Sequence, residues 1–243
     1  MKKCSGSVAS IETLGLVDGP GIRVVVFLNG CNLRCKYCHN PEMWQKKENN
    51  ISAQDLVNRI LRMRPYFKNN GGVTFSGGEP LLQSSFLLEV LPLLKKEKIN
   101  VALDTAGFCT KDTAEILDYV DLVLLDIKHT SKEAYQELTG QDISHVEEFI
   151  KLLNTKNKQV WIRQVIVPGL TDSEEYLQSL NTYLQKIKNV VRIDFLPYHN
   201  LGKSKYEELN IPYPYASLEA MDKVKCEELY QKFKKIYQGQ LEL

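Results

Sequence analysis

No stretch of this 243-residue sequence approaches the roughly 18 consecutive apolar residues that a membrane span needs. Charge of one sign is missing too: 31 basic residues face 30 acidic ones, for a net charge of +1. No global field therefore favours nucleic acid or a membrane surface. Pairs such as Lys95-Lys96, Lys186 with Lys188, and Lys234-Lys235 read as solvated helix faces. Met1-Lys2-Lys3 opens in the manner of a signal peptide, but residues 4–19 mix polar and apolar side chains and hold no apolar core. The expectation is a cytoplasmic protein with neither a membrane nor a nucleic-acid partner. Thiols stay reduced there, so clustered cysteines point to a metal or catalytic site rather than to disulfides. Repeats, low-complexity tracts and linkers are absent as well. With 43% hydrophobic and 25% charged residues, the chain has the material for a sizeable core and lacks the composition of a disordered one.

What is present is an alternation. Residues 23–28 form a β-branched apolar run that predicts a buried strand. Further strands are expected at 72–75, 100–104, 122–126, 159–167 and 190–196. Helical patterns separate them. Ser52-Ala53-Gln54-Asp55 is a capping-box opening before a helix with Leu56, Ile60 and Leu61 on one face. Residues 83–96 place Phe86, Leu87, Val90, Leu91 and Leu94 on one face, with a kink expected at Pro92. Other helices are predicted at 111–119, 145–154, 173–187 and 217–237. Apolar strands separated by helices indicate βαβ units and a parallel sheet. A complete eight-unit barrel takes about 250 residues, and the first 22 residues and a cysteine-rich loop use up length here. The expected architecture is α/β: an open, partial (β/α)6 barrel forming one domain over 1–243, preceded by residues 1–22. A doubly wound sheet is the alternative. Residues 197–214 read as a long loop, which in compact domains is usually functional.

Cys31-Asn32-Leu33-Arg34-Cys35-Lys36-Tyr37-Cys38 gives the spacing CxxxCxxC just after the first predicted strand. Thiolates so spaced can wrap one metal centre. A four-iron cluster normally takes four cysteines, yet Cys4, Cys109 and Cys226 are distant in sequence and read as buried apolar thiols. Three thiolates on four irons leave one iron open to a small ligand. Structural zinc with His39 as fourth ligand is the alternative, although such sites usually split their ligands into two spaced pairs.

Other polar groups fall at or just past the C-terminal ends of predicted strands: Gly77-Gly78-Glu79, Asp104-Thr105, Asp126 with Lys128, and His199. In a barrel those ends converge on the face that carries active sites. Each has a plainer reading. Residues 76–79 can be a strand-to-helix turn, Asp104 a helix cap, Lys128 a surface charge, His199 a structural side chain, and Asp18 a turn residue beside Gly19-Pro20-Gly21. Read together they suggest more. Adjacent glycines let backbone approach a ligand, and Asp104 with Asp126 offers the oxygen ligands that hard cations prefer.

CxxxCxxC with an aromatic residue before the last cysteine resembles the signature of the radical S-adenosylmethionine superfamily. Val17-Asp18-Gly19-Pro20-Gly21-Ile22-Arg23 and Cys38-His39-Asn40 resemble the subgroup that activates glycyl radical enzymes. The likeness extends over almost the whole chain, through Ser76-Gly77-Gly78-Glu79-Pro80, Leu103-Asp104-Thr105, Leu125-Asp126-Ile127-Lys128, Val160-Trp161-Ile162-Arg163 and Leu196-Pro197-Tyr198-His199. The cysteine-rich insert of several relatives is absent.

The resemblance implies a [4Fe-4S] cluster on Cys31, Cys35 and Cys38, whose open iron chelates the amino and carboxylate groups of S-adenosylmethionine. It implies cofactor contacts from Tyr37, Cys38, His39, Gly77, Gly78, Glu79, Asp126, Ile127, Lys128, His129, Thr130, Arg163 and His199. A monovalent cation would sit on Asp104, Thr105, Asp126 and the carbonyl of Leu124, and Asp18 would hold the partner's glycine loop. The implied reaction is one-electron cleavage of S-adenosylmethionine, then hydrogen abstraction from a backbone glycine. Pyruvate formate-lyase is the implied partner and flavodoxin or ferredoxin the implied electron donor, with the activase a monomer. Competing functions are activation of a different glycyl radical enzyme, radical chemistry on a small molecule or RNA, and a non-catalytic metal-binding module. Near-zero net charge weakens the RNA version.

Overall fold

The computed structural model describes residues 4–239. One sheet of seven strands organises the chain: β1 Val8–Gly15, β2 Arg23–Leu28, β3 Gly72–Gly77, β4 Asn100–Thr105, β5 Leu122–Ile127, β6 Gln159–Ile166 and β7 Val190–Pro197. The strands lie side by side in chain order, with β2 to β7 parallel and β1 antiparallel to β2. These six parallel strands are the six expected from the apolar runs. Their sequential order excludes a doubly wound sheet, in which the order reverses at a switch point. Among the described residues β1 and β7 do not pair with each other, so the barrel stays open.

The helices of six residues or more are α1 Ala53–Arg62, α2 Ser84–Lys96, α3 Thr113–Asp118, α4 Lys132–Thr139, α5 Ser144–Thr155, α6 Glu174–Leu184, α7 Lys203–Glu208 and α8 Lys223–Ile236. Ser52 caps α1 by accepting from the Asp55 amide, as its sequence requires. The apolar stripe of α2 is buried and the helix runs unbroken through Pro92. These faces and the outward side chains of the strands form one contiguous core.

Four expectations need correction. Residues 1–22 do more than precede the barrel, because β1 lies within them and extends the sheet. Helix α4 was not predicted; Ser131 starts it by accepting from the Ala134 amide, and Gly140 ends it in the left-handed region. The long loop at 197–214 contains α7. The last helix starts at Lys223 rather than 217, since Asp222 is the residue that accepts from the Lys225 amide.

The inner face of the sheet has two tiers. Ala102, Leu122, Leu124 and Trp161 form a small apolar cluster separate from the main core. Side chains two residues apart share a face, so Asp104, Asp126 and Arg163 lie above that cluster, toward the C-terminal strand ends. The change from apolar to ionic marks the floor of the site.

Candidate active site

The loop after β2 is fixed from three sides. Gly30 and Cys31 amides donate to the carbonyls of Met43 and Trp44 at 2.8 and 3.1 Å. Arg34 and Lys36 amides donate to the last carbonyls of α4, on Thr139 and Leu138, at 2.7 and 3.0 Å. Gly77 and Gly78 bring the β3 loop against it. A Cβ on Gly77 would lie 2.4 Å from the Leu28 nitrogen, and one on Gly78 would lie 2.2 Å from the Gly30 oxygen. Glycine is demanded there by backbone contact, and at Gly77 by φ of +111° as well.

Cys31, Cys35 and Cys38 share the lining of one cavity of about 490 Å3. Burial pushes the Cys31 thiol up to about 12 and the Cys35 thiol up to about 11, and raises that of Cys38 as well. Without a metal such thiols are poor nucleophiles, because burial disfavours the thiolate; a bound cationic centre reverses that preference. Cys4, Cys109 and Cys226 are absent from the lining. Cys226 is buried as expected, while Cys4 and Cys109 are only half-buried. Among the described residues no three His, Cys, Asp or Glu side chains gather closely enough for a single metal ion.

Beside the cysteines lies a charge-neutral knot. Arg163 donates to Asp104 at 2.5 Å and to Asp126 at 2.9 Å, and Lys128 donates to the other Asp126 oxygen at 2.8 Å. Ser76 donates to the second Asp104 oxygen at 2.6 Å. Burial alone would raise the Asp126 carboxyl, but Arg163 and Lys128 hold it down at about 2. All four charged groups line the cavity, as do Asp18, Tyr37, Gly77, Gly78 and Thr105.

His39 and His199 complete the wall as a stacked pair, with ring centroids 3.7 Å apart and 11° between planes. His39 Nε2 donates to the His199 carbonyl at 2.9 Å. Burial, and then the neighbouring His199, push His39 down to about 4, so it is neutral. His199 Nδ1 and the Tyr37 hydroxyl are buried without hydrogen-bond partners among the described residues. Buried polar atoms are normally satisfied, and two orphans on one cavity wall fit a site shaped for a polar ligand.

Four of the predicted contacts lie off that lining. Glu79 is fully buried and accepts from Leu81 and Ala106 amides and the Thr105 hydroxyl. Ile127 belongs to the core. His129 accepts from the Ser131 amide, and Thr130 pairs with Ser179. Conversely Phe27, Trp44, Val165 and Leu196 line the cavity and were not predicted. Period-two alternation from Arg163 and from Asp194 gives away Val165 and Leu196; nothing in the sequence marks Trp44.

A family model described as the Radical SAM superfamily matches residues 25–197, the span from β2 to the end of β7. A pyruvate formate-lyase-activating enzyme of Clostridium pasteurianum is 48% identical over 95% of this chain and 98% of its own. One of Staphylococcus epidermidis is 40% identical over 93% and 94%. The chain belongs to the radical SAM superfamily, among the pyruvate formate-lyase-activating enzymes. Membership implies a four-iron cluster and S-adenosylmethionine, which the three cysteines and the polar wall fit. In fold, this radical SAM chain is similar to SuiB of Streptococcus suis, solved bound to its precursor peptide SuiA, with a TM-score of 0.66 at 21% identity. That likeness covers 96% of this chain and 49% of SuiB. Among the described residues no helix is long and apolar enough to cross a membrane.

Proposed function

We propose that this protein activates pyruvate formate-lyase by making a glycyl radical in it. The observation that carries the reading is the convergence of three cysteines, a neutral ion knot and a free carboxylate on one cavity. When bound, the cluster and S-adenosylmethionine supply the radical chemistry; the chain supplies binding, orientation and exclusion of water. Cys31, Cys35 and Cys38 hold the cluster. The backbone of Gly77 and Gly78 takes the cofactor's ammonium, while Lys128 and Arg163 face its carboxylate. Tyr37, His39 and His199 border the adenine and ribose. Asp18 has no side-chain hydrogen bond among the described residues and accepts from the docked glycine backbone.

A monovalent cation at Asp104, Thr105, Asp126 and the Leu124 carbonyl belongs to the same reading. The two aspartates are neutralised by Arg163 and Lys128 in the structure. A cofactor carboxylate drawing on those two cations leaves the aspartates one positive charge short, which a potassium or sodium ion restores. Glu79, Ile127, His129 and Thr130 support the cofactor from behind the lining. For the electron donor we propose an acidic flavodoxin or ferredoxin. Arg34 supports this: it is exposed, its guanidinium donates to the Cys31 carbonyl at 2.7 Å, and it makes no ion pair among the described residues. The working unit is one chain, one domain, in the cytoplasm.

The deciding experiment incubates the reduced, reconstituted protein with S-adenosylmethionine and pyruvate formate-lyase under anaerobic conditions. A glycyl radical seen by electron paramagnetic resonance, with methionine and 5′-deoxyadenosine formed alongside, is the expected result. Radical on another glycyl radical enzyme but none on pyruvate formate-lyase defeats the substrate assignment.

A further inference from the structure

Arg23 is fully buried, at 0% exposure, yet every acceptor around it is uncharged. Its Nε donates to the Thr74 hydroxyl at 2.6 Å, Nη1 to the Pro20 carbonyl at 3.1 Å, and Nη2 to the Val73 carbonyl at 2.6 Å and to Asn100 Oδ1 at 3.1 Å. Burying a guanidinium with no carboxylate in hydrogen-bond reach costs stability, the charges of Asp121 and Asp18 acting on it only through space, and β-strand packing alone does not call for it. What the arrangement does is orient one hydroxyl. Arginine only donates, so Thr74 must accept from it. The threonine proton then has one place to go, and it goes to the Asp18 carbonyl at 2.6 Å.

The glycines of this loop serve the same contact. Gly19 lies at φ +127°, and a Cβ there would meet Arg23 Cδ at 2.7 Å. The loop thus folds tightly over the guanidinium, and its remaining freedom is removed by bonds on both sides, at the carbonyls of Asp18 and Pro20. The Asp18 side chain, which makes no hydrogen bond among the described residues, is thereby held at the cavity wall.

We infer that Arg23 and Thr74 are positioning residues for the protein substrate: through the Arg23–Thr74–Asp18 relay they fix the carboxylate that receives the partner's glycine loop. This rests on the reading of Asp18 given above. Neither residue lines the cavity, so neither touches the cofactor and both act through Asp18.

The test uses the full-length protein and a synthetic peptide carrying the glycine loop of pyruvate formate-lyase, with S-adenosylmethionine bound. Thr74→Val keeps the volume and removes the relay. Losing the positioning of a binding group costs about tenfold or more, so peptide Kd should rise by about that factor while S-adenosylmethionine Kd stays within about twofold. Thr74→Ser should restore peptide affinity. Combined with Asp18→Asn, Thr74→Val should cost little further, because residues acting through one group are not additive. Arg23→Lys, which still reaches carbonyls but does not set the hydroxyl, gives a second reading if Thr74→Val folds poorly. Additive losses, or folded variants that bind peptide like the wild type, overturn the inference alone. Wild-type protein that fails to bind the peptide overturns the functional reading with it.

Discussion

The Thr105 hydroxyl donates to Glu79 Oε1 at 2.7 Å, and through this bond the end of β4 holds the glycine loop that follows β3. The Leu81 amide reaches the same oxygen at 3.1 Å and the Ala106 amide reaches Oε2 at 3.0 Å. Burial nevertheless outweighs these three donors and raises the Glu79 carboxyl from 4.5 to about 7.

The sign of the pH effect follows. Between about pH 4.5 and 7 the folded state binds more protons at Glu79 than the unfolded chain does. Stability from this group is therefore fully present below that window and is lost as pH rises through it. Glu79→Gln should flatten this slope. It should also lower stability by about 1–3 kcal/mol, because the amide turns an N–H toward one of three donors. Denaturant titrations at several pH values from 4.5 to 8 measure both. An unchanged slope in the variant would assign it to another group.

Cluster content separates the six cysteines. Alanine at Cys31, Cys35 or Cys38 should abolish the four-iron absorption and the cleavage of S-adenosylmethionine. Alanine at Cys4, Cys109 or Cys226 should spare both, since none of these lines the cavity. Iron and sulfide analysis after anaerobic reconstitution measures it, and loss of the cluster in Cys109→Ala would end the three-ligand assignment.

Cation dependence tests the ion knot. Asp104→Asn and Asp126→Asn each remove one negative charge that Arg163 now neutralises. Neither variant should keep a response of S-adenosylmethionine affinity to potassium or sodium, and each should bind the cofactor more weakly, by about tenfold for a loss near 1.4 kcal/mol. Calorimetry in potassium against a large organic cation measures this. A preserved response in both variants would leave the aspartates as scaffolding for Arg163.

Much of this site was legible because its residues sit where a simple rule operates. Apolar runs gave the six parallel strands, and residues at their C-terminal ends had to meet. The rule fails where stability comes from distant partners. Strand β1, Val8–Gly15, exposes most of its side chains and carries no apolar stripe, so only its pairing with β2 makes it a strand. Helix α4 is short and polar, and its service to the cysteine loop, two carbonyls given to Arg34 and Lys36, leaves no mark in its own sequence. Glu79 completes a motif with two glycines, and nothing in that motif marks that its side chain turns inward to join β3 and β4. The Arg23–Thr74 relay spans 51 residues and shows only in three dimensions.

The last prediction concerns the clasp between α7 and the cysteine loop. Lys205 donates to Asn40 Oδ1 at 2.6 Å and to Glu42 Oε1 at 2.5 Å, and both acceptors lie just after Cys38. Next to it, Tyr206 meets Trp44 edge-on at 5.7 Å, and Gly202 sits so close to His39 that a Cβ would come within 2.9 Å of its Cα. The segment after β7 therefore holds the far side of a loop whose near side is held by α4. Lys205 and Glu42 are 38% and 32% exposed, so the ion pair itself adds only about 0.5–1 kcal/mol to stability. Its larger effect should be on the loop, because the clasp must open before water and chelator reach Cys38. Lys205→Met keeps the aliphatic stem and removes the charge. Its melting temperature should fall by only a few degrees, while iron release to a ferrous chelator should quicken by about fivefold, as expected for a local opening made about 1 kcal/mol easier. Lys205→Arg, which can still bridge Asn40 and Glu42, should release iron at nearly the wild-type rate. Equal release from wild type and Lys205→Met would mean that α4 and the Met43 and Trp44 carbonyls hold the loop unaided.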